Sequence, residues 1–170
     1  GTRATIAWNC LKGNEGGVLS SCNGKIYSNL ISLNAGSVLD CSGPIVNNCI
    51  HRNGGGFVRC NGVLHNNTIA ESTGSGLVEC YGEIRNCIAW GNGKLSGLNY
   101  RNINTPSYSC IQGWSGGGEG NIITDPRFID VEGGDLGLRS DSYCIDSGGL
   151  TDLLIEDLDG VARPYNAVTA

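Results

Sequence analysis

Three stretches decide the fold: AGSVLDCSGPIVNNCI (residues 35–50), GGGFVRCNGVLHNNTI (54–69) and GSGLVECYGEIRNCI (74–88). They are the same sentence written three times, and a fainter copy, GGVLSSCNGKIYSNLI, precedes them at 16–31. Cys22, Cys41, Cys60 and Cys80 each stand two residues before a glycine, at steps of 19, 19 and 20. Asn9, Asn29, Asn48, Asn67 and Asn86 each stand two residues before Leu11, Ile31, Ile50, Ile69 and Ile88, at steps of 20, 19, 19 and 19. A fixed period of this length is the signature of a repeat architecture.

Nothing in the unit has helical period. Each copy offers short alternating runs, such as Phe57-Val58-Arg59-Cys60 and Val63-Leu64-His65-Asn66, broken by Asn-Gly, Ser-Gly or Gly-Gly-Gly. Such runs read as strands joined by turns. About nineteen residues then make one coil of a parallel β-solenoid, stacked on the last at about 4.8 Å. The expected fold is all-β: a right-handed parallel β-helix of about five coils over residues 1–92, roughly 24 Å of stack at that spacing. An irregular segment, 93–170, is expected to close it within one structural domain. The asparagines are expected to form an inward ladder of amide hydrogen bonds. The cysteines are expected to form an inward column of free thiols, and the glycines to supply positive φ at the bends. Among the nine cysteines, Cys110 and Cys144 lie outside that column and are the first candidates for a bridge.

Outside the column, Ser21, Asp40, Arg59 and Glu79 precede the cysteines, which suggests a cross-strand charge ladder with Arg59 between two acids. A net charge of −5 and a pI near 4.9 argue against a nucleic-acid partner. No apolar run reaches the length of a membrane span. The chain contains no Met and opens Gly-Thr. It is therefore expected to be part of a longer protein, with an uncapped first coil free to self-associate through its strand edges.

Several segments resemble a family. The unit Gly54-Gly55-Gly56-Phe57-Val58-Arg59-Cys60 with Asn66-Asn67-Thr68-Ile69 is similar to the right-handed parallel β-helix repeat of pectate-lyase-like, secreted or surface bacterial proteins. Tyr108-Ser109-Cys110-Ile111-Gln112-Gly113, Asp125-Pro126-Arg127-Phe128-Ile129-Asp130 and Ser142-Tyr143-Cys144-Ile145-Asp146-Ser147-Gly148 resemble its C-terminal part. The resemblance implies the fold and an extracellular, carbohydrate-rich setting; it implies no particular activity.

The chemistry is weighed on the residues. A lyase needs an acidic calcium site beside a base, and a hydrolase needs converging carboxylates. Asp40, Glu71, Glu79 and Glu83 are scattered over columns, so no catalytic residue is assigned and the chain leans away from enzymes. A divergent or partial polysaccharide lyase or glycoside hydrolase, and a purely structural repeat, are the alternatives. His51 and His65 fall in different columns, which speaks against a shared metal, and each reads as a solvent-facing strand residue. Asp125, Asp130, Asp135 and Asp146 read as turn formers, with calcium the competing reading. Polysaccharide is the expected partner, stacked on Tyr27, Tyr81, Trp90, Tyr100 or Trp114. Against it stands the packing of Trp90 and Trp114 between the C-terminal segment and the last coil.

Overall fold

In the computed structural model, residues 3–95, 97–150, 156–158 and 160 are described. The first coil holds β1 (Ile6–Ala7), β2 (Cys10–Lys12) and β3 (Leu19–Ser20). The second holds β4 (Ile26–Tyr27), β5 (Leu30–Ser32) and β6 (Val38–Leu39), the third β7 (Ile45–Val46), β8 (Cys49–His51) and β9 (Phe57–Val58). The fourth holds β10 (Leu64–His65), β11 (Thr68–Ala70) and β12 (Leu77–Val78), the fifth β13 (Ile84–Arg85), β14 (Ile88–Trp90) and β15 (Tyr100–Arg101). Three parallel sheets result: β1-β4-β7-β10-β13, β2-β5-β8-β11-β14 extended by β16 (Cys110–Ile111), and β3-β6-β9-β12-β15. This is a parallel β-solenoid of five coils with no helix among the described residues, consistent with the right-handed β-helix. No described helix is long and apolar enough to cross a membrane.

Each coil has three strands, where the repeat suggested two. Their brevity explains the difference, because a two-residue strand leaves almost no alternation to read. Every strand points one residue inward, and identical positions stack. Ile26, Ile45, Leu64 and Ile84 fill one wall of the lumen, Ile31, Ile50, Ile69 and Ala89 the second, Val38, Phe57 and Leu77 the third, all fully buried. Burying each such aliphatic side chain contributes on the order of 2 kcal/mol.

Glycine makes only some of the bends. A residue in the left-handed region follows each strand of the coils: Trp8, Ser28, Asn47, Asn66, Asn86 and Tyr108 at the first corner, and Gly13, Leu33, Arg52, Glu71 and Gly91 at the second. Ser21, Asp40, Arg59, Glu79 and Asn102 do so at the third. Such conformations cost a non-glycine residue about 1 kcal/mol or more and persist where the surroundings over-determine them. Here the stacking of the coils does so. The glycines beside the cysteines serve close approach instead: a Cβ on Gly43 would lie 2.0 Å from the Gly24 carbonyl oxygen, and on Gly62 2.1 Å from that of Gly43.

Directly after each bend, one side chain turns inward and seals the corner. At the first corner Asn9, Asn29, Asn48 and Asn67 form the ladder. Asn29 donates its backbone and side-chain N–H to Asn48 Oδ1 (3.1 and 2.9 Å), and Asn48 does the same to Asn67 (2.9 and 3.0 Å). Asn86 is not part of it. The register Thr68↔Ile88 puts Cys87 beside Asn67, and Asn86 is a bend residue whose side chain bonds Gly149. The Asn-before-Ile spacing slips by one residue at this coil, because β14 begins at Ile88 where β11 begins at Thr68. A second ladder, five residues further on, was not read from the repeat: Asn14, Asn34 and Asn53, then Ser72, Asn92 and Asn99. At the third corner the thiols of Cys22, Cys41, Cys60 and Cys80 are buried and donate to strand carbonyls.

Beyond the fifth coil the chain folds back. Bridges Arg85↔Ser107 and Cys110↔Ile122 start a sixth layer, and then β17 (Phe128–Asp130) and β18 (Asp135–Leu138) form an antiparallel hairpin. This hairpin straps the outer face of the second sheet: Arg52 donates to the Glu132 carbonyl at 2.8 Å and meets its carboxylate at 2.7 Å. Residues 143–146 form a turn, and Ile122 makes only a bridge. Gly160 N–H closes a turn on Asp157; the stretch Tyr165–Ala170 lies outside the described residues.

Candidate functional site: two clefts on the solenoid wall

The five aromatic candidates do not share a face. Tyr27 sits on the first sheet, edge-on to Trp8 with ring centroids 6.3 Å apart and with Lys25 Nζ 4.6 Å from its centroid. Tyr100 and Trp114 lie against one another at 4.9 Å and pack on the lumen's last layer. Their polar tips are used internally, Tyr100 Oη donating to the Gly113 carbonyl and Trp114 Nε1 to that of Gly117. These two close the stack. Tyr81 and Trp90 each border a cleft.

The smaller cleft, about 290 Å³, runs along the third corner. Tyr81, which is 55 % exposed, borders it with Ser42, Asn61 and the charged bend residues. The ladder of charges exists, at the bends rather than on strands, and Arg59 does not bridge two acids. Its Nε and Nη2 reach the two oxygens of Asp40 at 2.6 and 3.0 Å, while Glu79 pairs with Arg101 at 3.5 Å. The guanidinium bonded to it holds the Asp40 carboxyl below its ordinary range.

The larger cleft, about 560 Å³, lies between the second sheet and the strap. Trp90, the outward end of β14, is half-buried in it, with Phe128 and Val131 of the strap as its other apolar surface. Around the indole stand Glu71, Asp125 and Asp141 with Arg127 and Arg139. Every one of these carboxylates already has a partner: Glu71 meets Lys94 Nζ at 2.5 Å, Asp141 meets Arg127 at 2.8 Å, and Asp125 accepts the Arg127 backbone N–H at 2.7 Å. The volume falls in the range of small-ligand sites.

The two histidines are not solvent-facing. Both point outward from their strands, yet each is only 6 % exposed. His51 lies beneath the strap, bonded to the Val131 backbone, and its Nε2 is buried with no hydrogen-bond partner. His65 has Glu83 at 3.4 Å as its ionic neighbour, a separation too long for a good hydrogen bond. Burial holds both imidazoles below their ordinary value. At His51 the cover comes from the distant strap, which an alternating strand does not reveal.

Three of the tail aspartates serve as turn acceptors: Asp125 for the Arg127 N–H, Asp130 for the Gly133 N–H and Asp135 for the Gly137 N–H, at 2.7 to 2.9 Å. Among the described residues, no three His, Cys, Asp or Glu side chains converge as metal ligands. No family model, curated relative or solved structure matches the chain.

Proposed function

We propose that the chain is a non-catalytic β-solenoid module of a secreted or surface protein that binds polysaccharide in the cleft beneath the strap. One observation carries this reading: a half-buried indole, Trp90, floors a cleft of about 560 Å³ ringed by carboxylates and guanidinium groups. A pyranose presents apolar C–H faces and a rim of hydroxyls. The faces suit an indole, and the hydroxyls can donate to Glu71, Asp125 and Asp141 while accepting from Arg127 and Arg139. All three carboxylates are already engaged, Glu71 by Lys94, Asp141 by Arg127 and Asp125 by a backbone N–H, which supports binding over turnover. The Tyr81 cleft offers a second, shallower contact along the stack.

The test is a glycan-array screen of native and calcium-chelated protein, run beside reducing-sugar and unsaturated-product assays. Binding without product, lost on Trp90→Ala and retained on Tyr27→Ala, supports the module. Product formation favours the alternative of a divergent lyase or hydrolase, and indifference to Trp90→Ala moves the site elsewhere. Silence in every arm leaves a structural repeat.

A further inference from the structure

We propose that Cys110 and Cys144 form a thiol–disulfide exchange site that reacts with low-molecular-weight disulfides of the glutathione class and closes a bridge between the strap segment and the solenoid. The site rests on cysteine geometry and does not depend on the saccharide reading.

Cys110 begins β16 and is 3 % exposed on the outer column of the second sheet. Its thiol donates to the Thr124 carbonyl at 3.3 Å. Cys144 arrives from the far end of the strap segment, in a turn pinned by Ser142, which accepts the Cys144 N–H at 3.1 Å, and by Ser147, which donates to the Cys144 carbonyl at 2.9 Å. Both cysteines are held against the stretch 124–126: Cys110 through the Thr124 carbonyl, and Cys144 through Ser142, whose hydroxyl donates to the Pro126 carbonyl at 2.5 Å. Thirty-three residues lie between two cysteines that the fold brings to the same stretch of chain.

The remaining cysteines are differently placed. Cys22, Cys41, Cys60, Cys80 and Cys87 are sealed in the lumen, Cys49 is buried on the sheet, and Cys10 is exposed on β2 at the other end of the stack. An incoming disulfide needs open space along the sulfur it meets, and the sealed thiols offer none. Cys144 is half-buried, so part of it remains open to solvent while Cys110 is buried.

Reactivity follows the same division. The neighbouring Cys110 thiol, assisted by Ser142, holds the Cys144 thiol below its ordinary value, against the opposing effects of burial and of Asp125. Burial pushes Cys49, Cys80 and Cys87 up to about 11. The thiolate is the attacking species. Cys144 S⁻ attacks one sulfur of the external disulfide, whose S–S bond breaks and releases a small thiolate. Cys110 then gives its proton to that thiolate or to water, attacks the Cys144 sulfur of the mixed disulfide and expels the second small thiolate. The two protein thiols lose two electrons, and the external disulfide gains them.

The bridge would tie residues 124–144 to the last rung, and with them the cleft wall that carries Asp125, Arg127, Arg139 and Asp141. The experiment uses the full chain with Cys10→Ser, which removes the exposed thiol. It is incubated with oxidised glutathione at pH 8, quenched in acid, alkylated in denaturant and weighed. The expected product has lost about 2 Da, the two thiol hydrogens. It carries two fewer alkyl groups than the untreated control, retains no glutathione and yields a peptide pair joining Cys110 to Cys144. With Cys110→Ser in addition, one glutathione stays on Cys144. An unchanged thiol count, glutathione retained on Cys144 while Cys110 is present, or a bridge between other cysteines overturns the proposal.

Discussion

Cys60 stands to its coil as Asn48 does to the neighbouring corner. The Asn48 amide donates to the carbonyls of Ile26 and Val46, both at 3.1 Å, and the Cys60 thiol donates to those of Val38 and Val58, at 3.5 and 3.6 Å. In both, the acceptors lie 22 and 2 residues back in the chain. The cysteine column is thus a third corner ladder written in thiols. A thiol is a weaker donor than an amide but a softer, more apolar filler.

The amide ladder is expected to be costly to interrupt. Asn48→Ala removes the acceptor of two Asn29 donors and the donor to two carbonyls, all buried. Stranding such groups costs about 1–3 kcal/mol apiece, and partial relaxation should leave a loss of roughly 3–5 kcal/mol. Asn9→Ala, at the exposed end of the ladder, should cost about 1 kcal/mol or less. Urea denaturation of both variants checks the contrast; equal losses would contradict a cooperative ladder.

Cys87 occupies an asparagine's place. Its thiol donates to Leu64 and Arg85 as Asn48 does to its own pair of carbonyls, and its neighbours in the ladder are Asn67 and Ser109. Cys87→Asn restores the amide and is expected to be neutral or to stabilise by about 1 kcal/mol. A thermal melt reads the result, and a loss above about 2 kcal/mol would mean that the fifth coil is too tight for the amide.

The glycines separate close approach from turn freedom. Gly43→Ala places a methyl 2.0 Å from a backbone oxygen that the stacking holds in place. The expected result is a loss above about 3 kcal/mol or failure to accumulate as folded protein. Gly17→Ala meets nothing within 4 Å and should shift stability by no more than about 0.5 kcal/mol. Similar behaviour of the two variants in denaturation would refute the packing role.

Acid should weaken the fold through the two histidines. Burial depresses both, partly countered at His51 by the Val131 backbone, Glu71 and Glu132, and at His65 by Glu83; Arg52 and Arg85 act with burial. The unfolded chain therefore takes up these protons first as pH falls. The stability they contribute is complete above the ordinary value of 6.5 and is lost as pH drops below it toward the depressed folded values. Melting temperatures between pH 7.5 and pH 5 should fall, and the double variant His51→Gln/His65→Gln should flatten that part of the curve. An unaltered slope in the double variant would place the acid sensitivity elsewhere.

How much of this was legible follows from what stacks. The coil length, the first asparagine ladder and the thiol column were readable because identical side chains recur once per coil. The second ladder carried the same signal through Asn14, Asn34 and Asn53, five residues after the first, and could have been found. Left-handed bends at Arg59 and Glu79 were not legible, since nothing in those residue types announces a positive φ that stacking alone enforces. The cleft was hidden for another reason. Trp90 and Glu71 meet Arg127 and Asp141 only because the strap returns over the second sheet, and no local pattern encodes that return.

Thiol accessibility tests the three-cornered solenoid most directly. A native-state pulse with a small maleimide, followed by peptide mapping, should label Cys10 at once and Cys144 more slowly. Cys22, Cys41, Cys60, Cys80 and Cys87 should react only as the protein unfolds. Rapid native labelling of the column at residues 22, 41, 60 and 80 would place those side chains outside the lumen and contradict the fold described here.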